Sequence, residues 1–322
     1  MGAAPAGTVL VQSTAPAIPA GRSRYTPPAC HARLASEAVR WSVVDAPLDS
    51  SGRGRGERRA PVALRAAGLV DRLDARDVGA IDTVITDPVR DPETGMVGAD
   101  QVRRAGRAIA ARVTELTDAG HVPLVVGGDC AILPGVLQGL PSGFTLWFLD
   151  GHLDFYDGIT SLTGEAADMD LSLVTDHGPA GVLDREGPLV DPDQVHVLGY
   201  RPSHEPAGVR EAARLDPAIH VVTADRLRGE AAAAAGRDLA ADGAGPAWLH
   251  LDLDVLDPLV LPAVTYPEPG GLDWPDVAAL IRPMVRSGRL LGMSLADFNA
   301  DEDPDGRHAE RVVEVLAEVL AD

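Results

Sequence analysis

Three side chains able to ligate a metal stand at alternate positions, Asp150, His152 and Asp154, directly after the apolar run 146–149. The pattern recurs further along: the apolar segment 247–251, which includes His250, leads into Asp252 and Asp254 and then into Asp257 and Pro258. Along an extended backbone side chains alternate between faces, so groups two apart are expected to point the same way. Two such segments side by side would surround one cation or two. Carboxylates suit Mn²⁺ or Mg²⁺, and an imidazole among them draws the preference towards Mn²⁺, Fe²⁺ or Zn²⁺. Two ions bridged by carboxylates can lower the pKa of a shared water and hold hydroxide near neutral pH, which serves hydrolysis of an unactivated C–N or P–O bond.

The elements that must position these groups read as alternating strands and helices. Strands are expected over 41–44, 81–85, 122–126, 144–149, 194–199, 219–222, 248–254 and 290–297. Helices are expected over 63–73, 99–119, from 131, and over 230–241, 274–285 and 308–320. The clearest is 99–119, with Val102, Ala105, Ile109, Val113 and Leu116 near helical spacing and Gly120 as terminator. Such alternation predicts a three-layer α/β/α domain around a mainly parallel sheet. In such sheets ligands bind beyond the carboxyl ends of the strands. Gly127, Gly128, Asp129 and Cys130 end one predicted strand, Asp150 to Asp154 another, Asp252 and Asp254 a third, and Asp297 a fourth, all at that same end.

Composition narrows the classes of function. The chain has 322 residues, 45% of them hydrophobic, and a formal net charge of −20. That charge repels phosphate backbones and anionic membranes, so neither nucleic acid nor membrane is an expected partner. Two cysteines, Cys30 and Cys130, make no disulfide framework, and no run approaches the ~20 apolar residues of a membrane span, so a cytoplasmic location is expected. Residues 1–38, rich in Ala, Pro, Thr and Gly, read as a partly mobile extension, and 39–322 as a single domain. Gly52, Gly54 and Gly56 have the spacing of a phosphate loop, but the segment is Arg-rich and no helix opens on its last glycine. Arg201 and His204 follow a strand and read equally as rim or surface, while His250 reads as a packed histidine behind the ligands.

Taken in order, Gly-Gly-Asp-X, Asp-X-His-X-Asp and Asp-X-Asp-X-X-Asp-Pro resemble the ureohydrolases: arginase, agmatinase, guanidinobutyrase and formimidoylglutamase. Ala46, Pro47, Leu48 and Asp49 with the loop glycines, the stretch 267–272 and the segment 296–299 are similar too, so the resemblance runs over roughly 41–320. It implies an arginase-like fold, two Mn²⁺ ions, a homo-oligomer (trimer or hexamer) and cleavage of a C–N bond of a guanidino or amidino small molecule, of arginine, hydroxyarginine or agmatine type. By the resemblance, Asp150 and Asp252 bridge both ions, His152 and Asp254 complete one shell, and Asp154 and Cys130 complete the other. A metal-bridging hydroxide attacks the amidine carbon, and Asp154 carries its proton to the departing amine.

Three departures from the family pattern stand out. Cys130 occupies a position where the motif usually has His, and its thiolate admits Zn²⁺ or Fe²⁺. Asp297 matches the Glu that pairs with guanidinium and is one methylene shorter. The segment 164–169 lacks the His that arginases carry and offers Glu165 and Asp168, which either meet a cationic substrate or are solvated loop carboxylates. A cysteine at position 130, with the segments 249–256 and 296–300, is similar to the branch that hydrolyses Nω-hydroxy-arginine. Two alternatives stay open: a mononuclear Zn²⁺ deacylase of the related fold, using Asp150, His152 and Asp252, and a degenerate family member that binds without catalysis.

Overall fold

The structure, a computed structural model, describes residues 41–243 and 245–321; the extension expected over 1–38 lies outside them. Among the described residues eight strands form one sheet: β1 (Trp41–Ala46), β2 (Arg76–Ala80), β3 (Val122–Gly127), β4 (Thr145–Leu149), β5 (Val195–Tyr200), β6 (His220–Thr223), β7 (Ala247–Asp252) and β8 (Leu290–Ala296). Their order is β2-β1-β3-β8-β7-β4-β5-β6, and every ladder is parallel. The edge strands β2 and β6 contain no buried residue, whereas β1, β3, β4 and β7 are buried throughout. A parallel sheet covered on both faces needs such continuous apolar strands.

Helices supply the two covers: α1 (Ala60–Ala66), α2 (Leu69–Arg72), α3 (Ala99–Asp118), α4 (Ile132–Gln138), α5 (Asp170–Val174), α6 (Pro206–Ala212), α7 (Glu230–Ala241), α8 (Trp274–Val285) and α9 (Arg307–Leu320). Alternation along the strands divides the core. Val43, Leu124, Val126, Leu149 and Leu251 pack under Leu64 of α1, Leu280 and Ile281 of α8 and Val312 and Leu316 of α9. Val44, Val125, Leu146, Phe148 and Trp248 face the other way, against Val102, Ile109 and Val113 of α3 and Leu133 and Val136 of α4. Each such aliphatic side chain contributes about 1.5–3 kcal/mol by leaving water. The three-layer, mainly parallel fold expected from sequence is therefore present, with the sheet wholly parallel.

Three local expectations are corrected. The helix expected over 63–73 is broken at Gly68, whose φ of 88° lies in the left-handed region and separates α1 from α2. The strand expected over 81–85 is not one: the edge strand is β2, immediately before it. Ile81, Thr83 and Ile85 do alternate inward, but burial alternation without a hydrogen-bonded ladder is not a strand. Strands β4 and β7 stop at Leu149 and Asp252, so Asp154 and Asp254 lie beyond extended backbone. Turns, rather than alternation along a strand, bring these ligands round. No helix among the described residues is long and apolar enough to cross a membrane.

Candidate metal centre

Four strands that are neighbours in the sheet, β3, β8, β7 and β4, deliver the candidate groups from their carboxyl ends. Backbone contacts lock the rim. Gly128 N–H donates to Ala46 O at 3.1 Å, and Asp297 N–H donates to Gly128 O at 2.8 Å, which ties the ends of β1, β3 and β8. A Cβ at Gly128 would stand 1.6 Å from Leu48 O, so the second glycine of the pair is sterically required. Asp129 does not ligate in this arrangement: its Oδ2 accepts the Ser50 N–H at 2.6 Å and holds the β1 loop against the rim.

Three of the predicted ligands, Asp150, Asp252 and Asp254, accept a backbone amide that orients the carboxylate. His152 N–H donates to Asp150 Oδ1 at 2.6 Å, Gly151 N–H to Asp254 Oδ1 at 3.1 Å, and Asp254 N–H to Asp252 Oδ1 at 2.7 Å. His152 Nδ1 lies 2.7 Å from Asp254 Oδ2. Asp154 and Asp297 have φ of 47° and 65°, sparsely populated for residues other than glycine, and such backbones cluster where surrounding structure must hold a side chain for use. Asp150, His152 and Asp254 bring ligand atoms within 4.8 Å of one another, as do Cys130, Asp154 and Asp170. Two further sets, Cys130, Asp150, His250 and Asp252, and Asp252, Asp254 and Asp297, join these into one centre. Cys130 Sγ donates to Asp252 Oδ2.

Like charge and burial dominate the electrostatics. Burial drives the carboxyls of Asp150, Asp154, Asp170 and Asp297 well above the ordinary range, and neighbouring aspartates push them further. Burial also raises the Cys130 thiol, with Asp252 adding to it. Burial opposes charge on Asp254 too, but His152 and Arg201 outweigh it and hold this carboxyl below its usual value. His152 is the counterpart: burial disfavours its cation, yet Asp254 pushes it up to about 9. Asp150 Oδ2, Asp297 Oδ2 and both oxygens of Asp170 are buried with no hydrogen-bond partner. Buried carboxylates of one sign with orphaned oxygens and a thiol among them need compensating positive charge. Divalent cations fit this donor set.

The centre opens into a cavity of about 220 Å³, lined by Cys130, His152, Asp154, Asp252, Asp254 and Asp297, with Asp150 fully buried beneath. Glu165 and Asp168 also line it and are not solvated loop carboxylates. Glu165 Oε2 accepts from Arg55 Nη2 at 2.6 Å, so a cation already neutralises it. Asp168 Oδ2 accepts from Ser161 at 2.7 Å and Thr163 at 2.6 Å, and burial pushes its carboxyl up to about 6.

The cavity also holds groups that sequence reasoning missed or left open. Arg201 is buried, not a surface residue: it packs on Gly151, where a Cβ would stand 1.9 Å from its Nη2, and lies 3.7 Å from Asp254 Oδ1. His204 and Glu205 are exposed. His250 stacks on Phe148 and its Nδ1 lies 2.7 Å from Ser294 Oγ, while its Nε2 is buried without a hydrogen-bond partner. Asp170, Glu211 and Arg55 gave less signal. Asp170 alternates with Met169 and Leu171 between Asp168 and Ser172, and Glu211 and Arg55 sit in ordinary polar segments.

Residues 39–321 match the sequence model of the arginase family. The chain belongs to the arginase family. It is 31% identical to the Nω-hydroxy-L-arginine amidinohydrolase of Streptomyces lavendulae over 230 residues, 70% of this chain and 77% of that one. It is 25% identical to the arginase of Agrobacterium fabrum over 89% of this chain and 93% of that one. In fold it is similar to the arginase of Bacillus caldovelox, with a TM-score of 0.79 at 24% identity, over 88% of this chain and 99% of that one.

Proposed function

We propose that the chain is an amidinohydrolase that holds two divalent cations, Mn²⁺ foremost, and uses water to cleave a C–N bond of a small guanidino or amidino compound. The observation that carries this reading is the pair of ligand sets, Asp150, His152 and Asp254 on one side and Cys130 and Asp154 on the other, with Asp252 adjoining both. A single-ion deacylase would need only Asp150, His152 and Asp252, leaving Cys130 and Asp154 side by side without a use. Membership of the arginase family supports the same substrate class.

Two such ions, when bound, supply the Lewis acidity that brings a shared water towards ionisation at neutral pH. The chain's own groups do the rest. Asp150 and Asp252 would serve both ions, His152 and Asp254 would hold one, and Cys130 and Asp154 the other. Asp154, fixed in its left-handed backbone, takes the proton that the attacking water releases and hands it to the departing amine. Asp297 accepts N–H bonds from the amidine or guanidine. Being shorter than glutamate, it draws that group towards Asp252 and Asp254, with which it clusters. Asp168 adds negative charge at the wall, while Glu165 is spent on Arg55 and shapes the mouth.

The test is metal content per chain after loading with Mn²⁺, run beside an assay for urea, hydroxyurea and ammonia over guanidino, hydroxyguanidino and amidino compounds. Two ions and release of one of these products are expected. One ion and no product from any of them overturns the reading.

A further inference from the structure

Asp170 opens α5, and its helix is anchored by Leu171, Leu173 and Val174, each at most 2% exposed. Its own exposure is 0%, and neither carboxylate oxygen reaches a hydrogen-bond partner. What faces it instead is Cys130 and Asp154, with ligand atoms of all three within 4.8 Å of one another. Donors at about 2.0–2.3 Å from one ion stand no more than about 4.5 Å apart, so a small contraction makes this a coordination shell.

We propose that Asp170 is a ligand of the ion that Cys130 and Asp154 hold, an assignment that rests on the reading of the centre as a two-cation site. It gives the chain a use for its departure at position 130. A thiolate there is softer than the imidazole that the family resemblance leads one to expect, and a carboxylate beside it restores a hard oxygen donor. The shell becomes Cys130, Asp154 and Asp170 with the bridging Asp150 and Asp252. Its added negative charge retains Mn²⁺ where a thiolate alone would favour Zn²⁺. The rigid packing of α5 keeps the carboxylate in place, as an ion site requires.

The experiment compares wild type with Asp170→Asn, which keeps the shape and removes the charge, by Mn²⁺ titration and by electron paramagnetic resonance of the Mn²⁺-loaded protein. Wild type is expected to bind two ions with an exchange-coupled signal. Asp170→Asn is expected to lose more than about 100-fold in affinity for one ion, beyond the 10–100-fold typical of outer-shell changes, and to show an uncoupled signal. Two ions of unchanged affinity and an unchanged spectrum in Asp170→Asn overturn this assignment alone. A wild type that binds fewer than two ions overturns the two-cation reading and this assignment with it. Should Asp170→Asn fail to fold, Asp170→Glu decides. A longer ligand must alter the spectrum of the pair, and an identical spectrum refutes the assignment.

Discussion

Glu211 tests the electrostatic account of the cavity wall without touching a proposed ligand. Its Oε1 accepts the Phe155 N–H at 2.8 Å, and burial pushes the carboxyl from 4.5 up to about 7 against the pull of that bond and of Tyr156. That rise corresponds to about 3 kcal/mol. The folded state therefore binds this proton more tightly than the unfolded state. Its contribution is fully present below pH 4.5 and is lost as pH rises through about 7, after which the deficit is constant. Glu211→Gln keeps the carbonyl that accepts from Phe155 and removes the ionisation. Thermal melts of metal-free protein from pH 4.5 to 8 are the assay, because bound cations would pull the carboxyl down. At pH 8 the variant should melt about 4 °C above wild type, and the gap should close towards pH 4.5. Parallel curves for the two proteins across that range would refute the claim that burial, not the hydrogen bonds, governs this group.

Other perturbations act on the centre itself. Asp252→Ala, which removes the carboxylate adjoining both ligand sets, should abolish turnover and retention of both ions, and full metal content with turnover would contradict its proposed bridging role. Cys130→His should raise affinity for the ion beside Asp154, read by Mn²⁺ titration, whereas an unchanged titration would mean that Cys130 is no ligand. Gly128→Ala forces a Cβ against Leu48 O and should cost at least about 1–3 kcal/mol in denaturant unfolding. A loss too small to measure would show that the rim can shift to make room.

Much of the molecule is legible in local pattern. Buried parallel strands are continuous apolar runs, and amphipathic helices carry a periodic stripe, so β3, β4, β7 and α3 announce themselves. Ligand chemistry is written in residue type, because carboxylates, imidazole and thiol at strand ends have few structural uses in such numbers. Where local pattern failed, the deciding partner was remote. Residues 81–85 alternate as a strand should, and only the absence of a neighbouring ladder distinguishes them from β2, whose polar residues pair with β1.

What the sequence by itself determined is the class of fold, the end of the sheet where the candidate groups gather, and the candidate donors of the two spaced motifs. What only the tertiary structure decided is who stands next to whom. The order β3-β8-β7-β4 makes neighbours of segments far apart in the chain, and turns after Leu149 and Asp252 sort Asp154 away from His152 and towards Cys130. That packing also buries Arg201 against Asp254 and aims Asp170 at Cys130. The physical reason is that spacing constrains a side chain only within one element. The field and the partners it meets at a strand end are set by other strands and loops, which no local periodicity encodes.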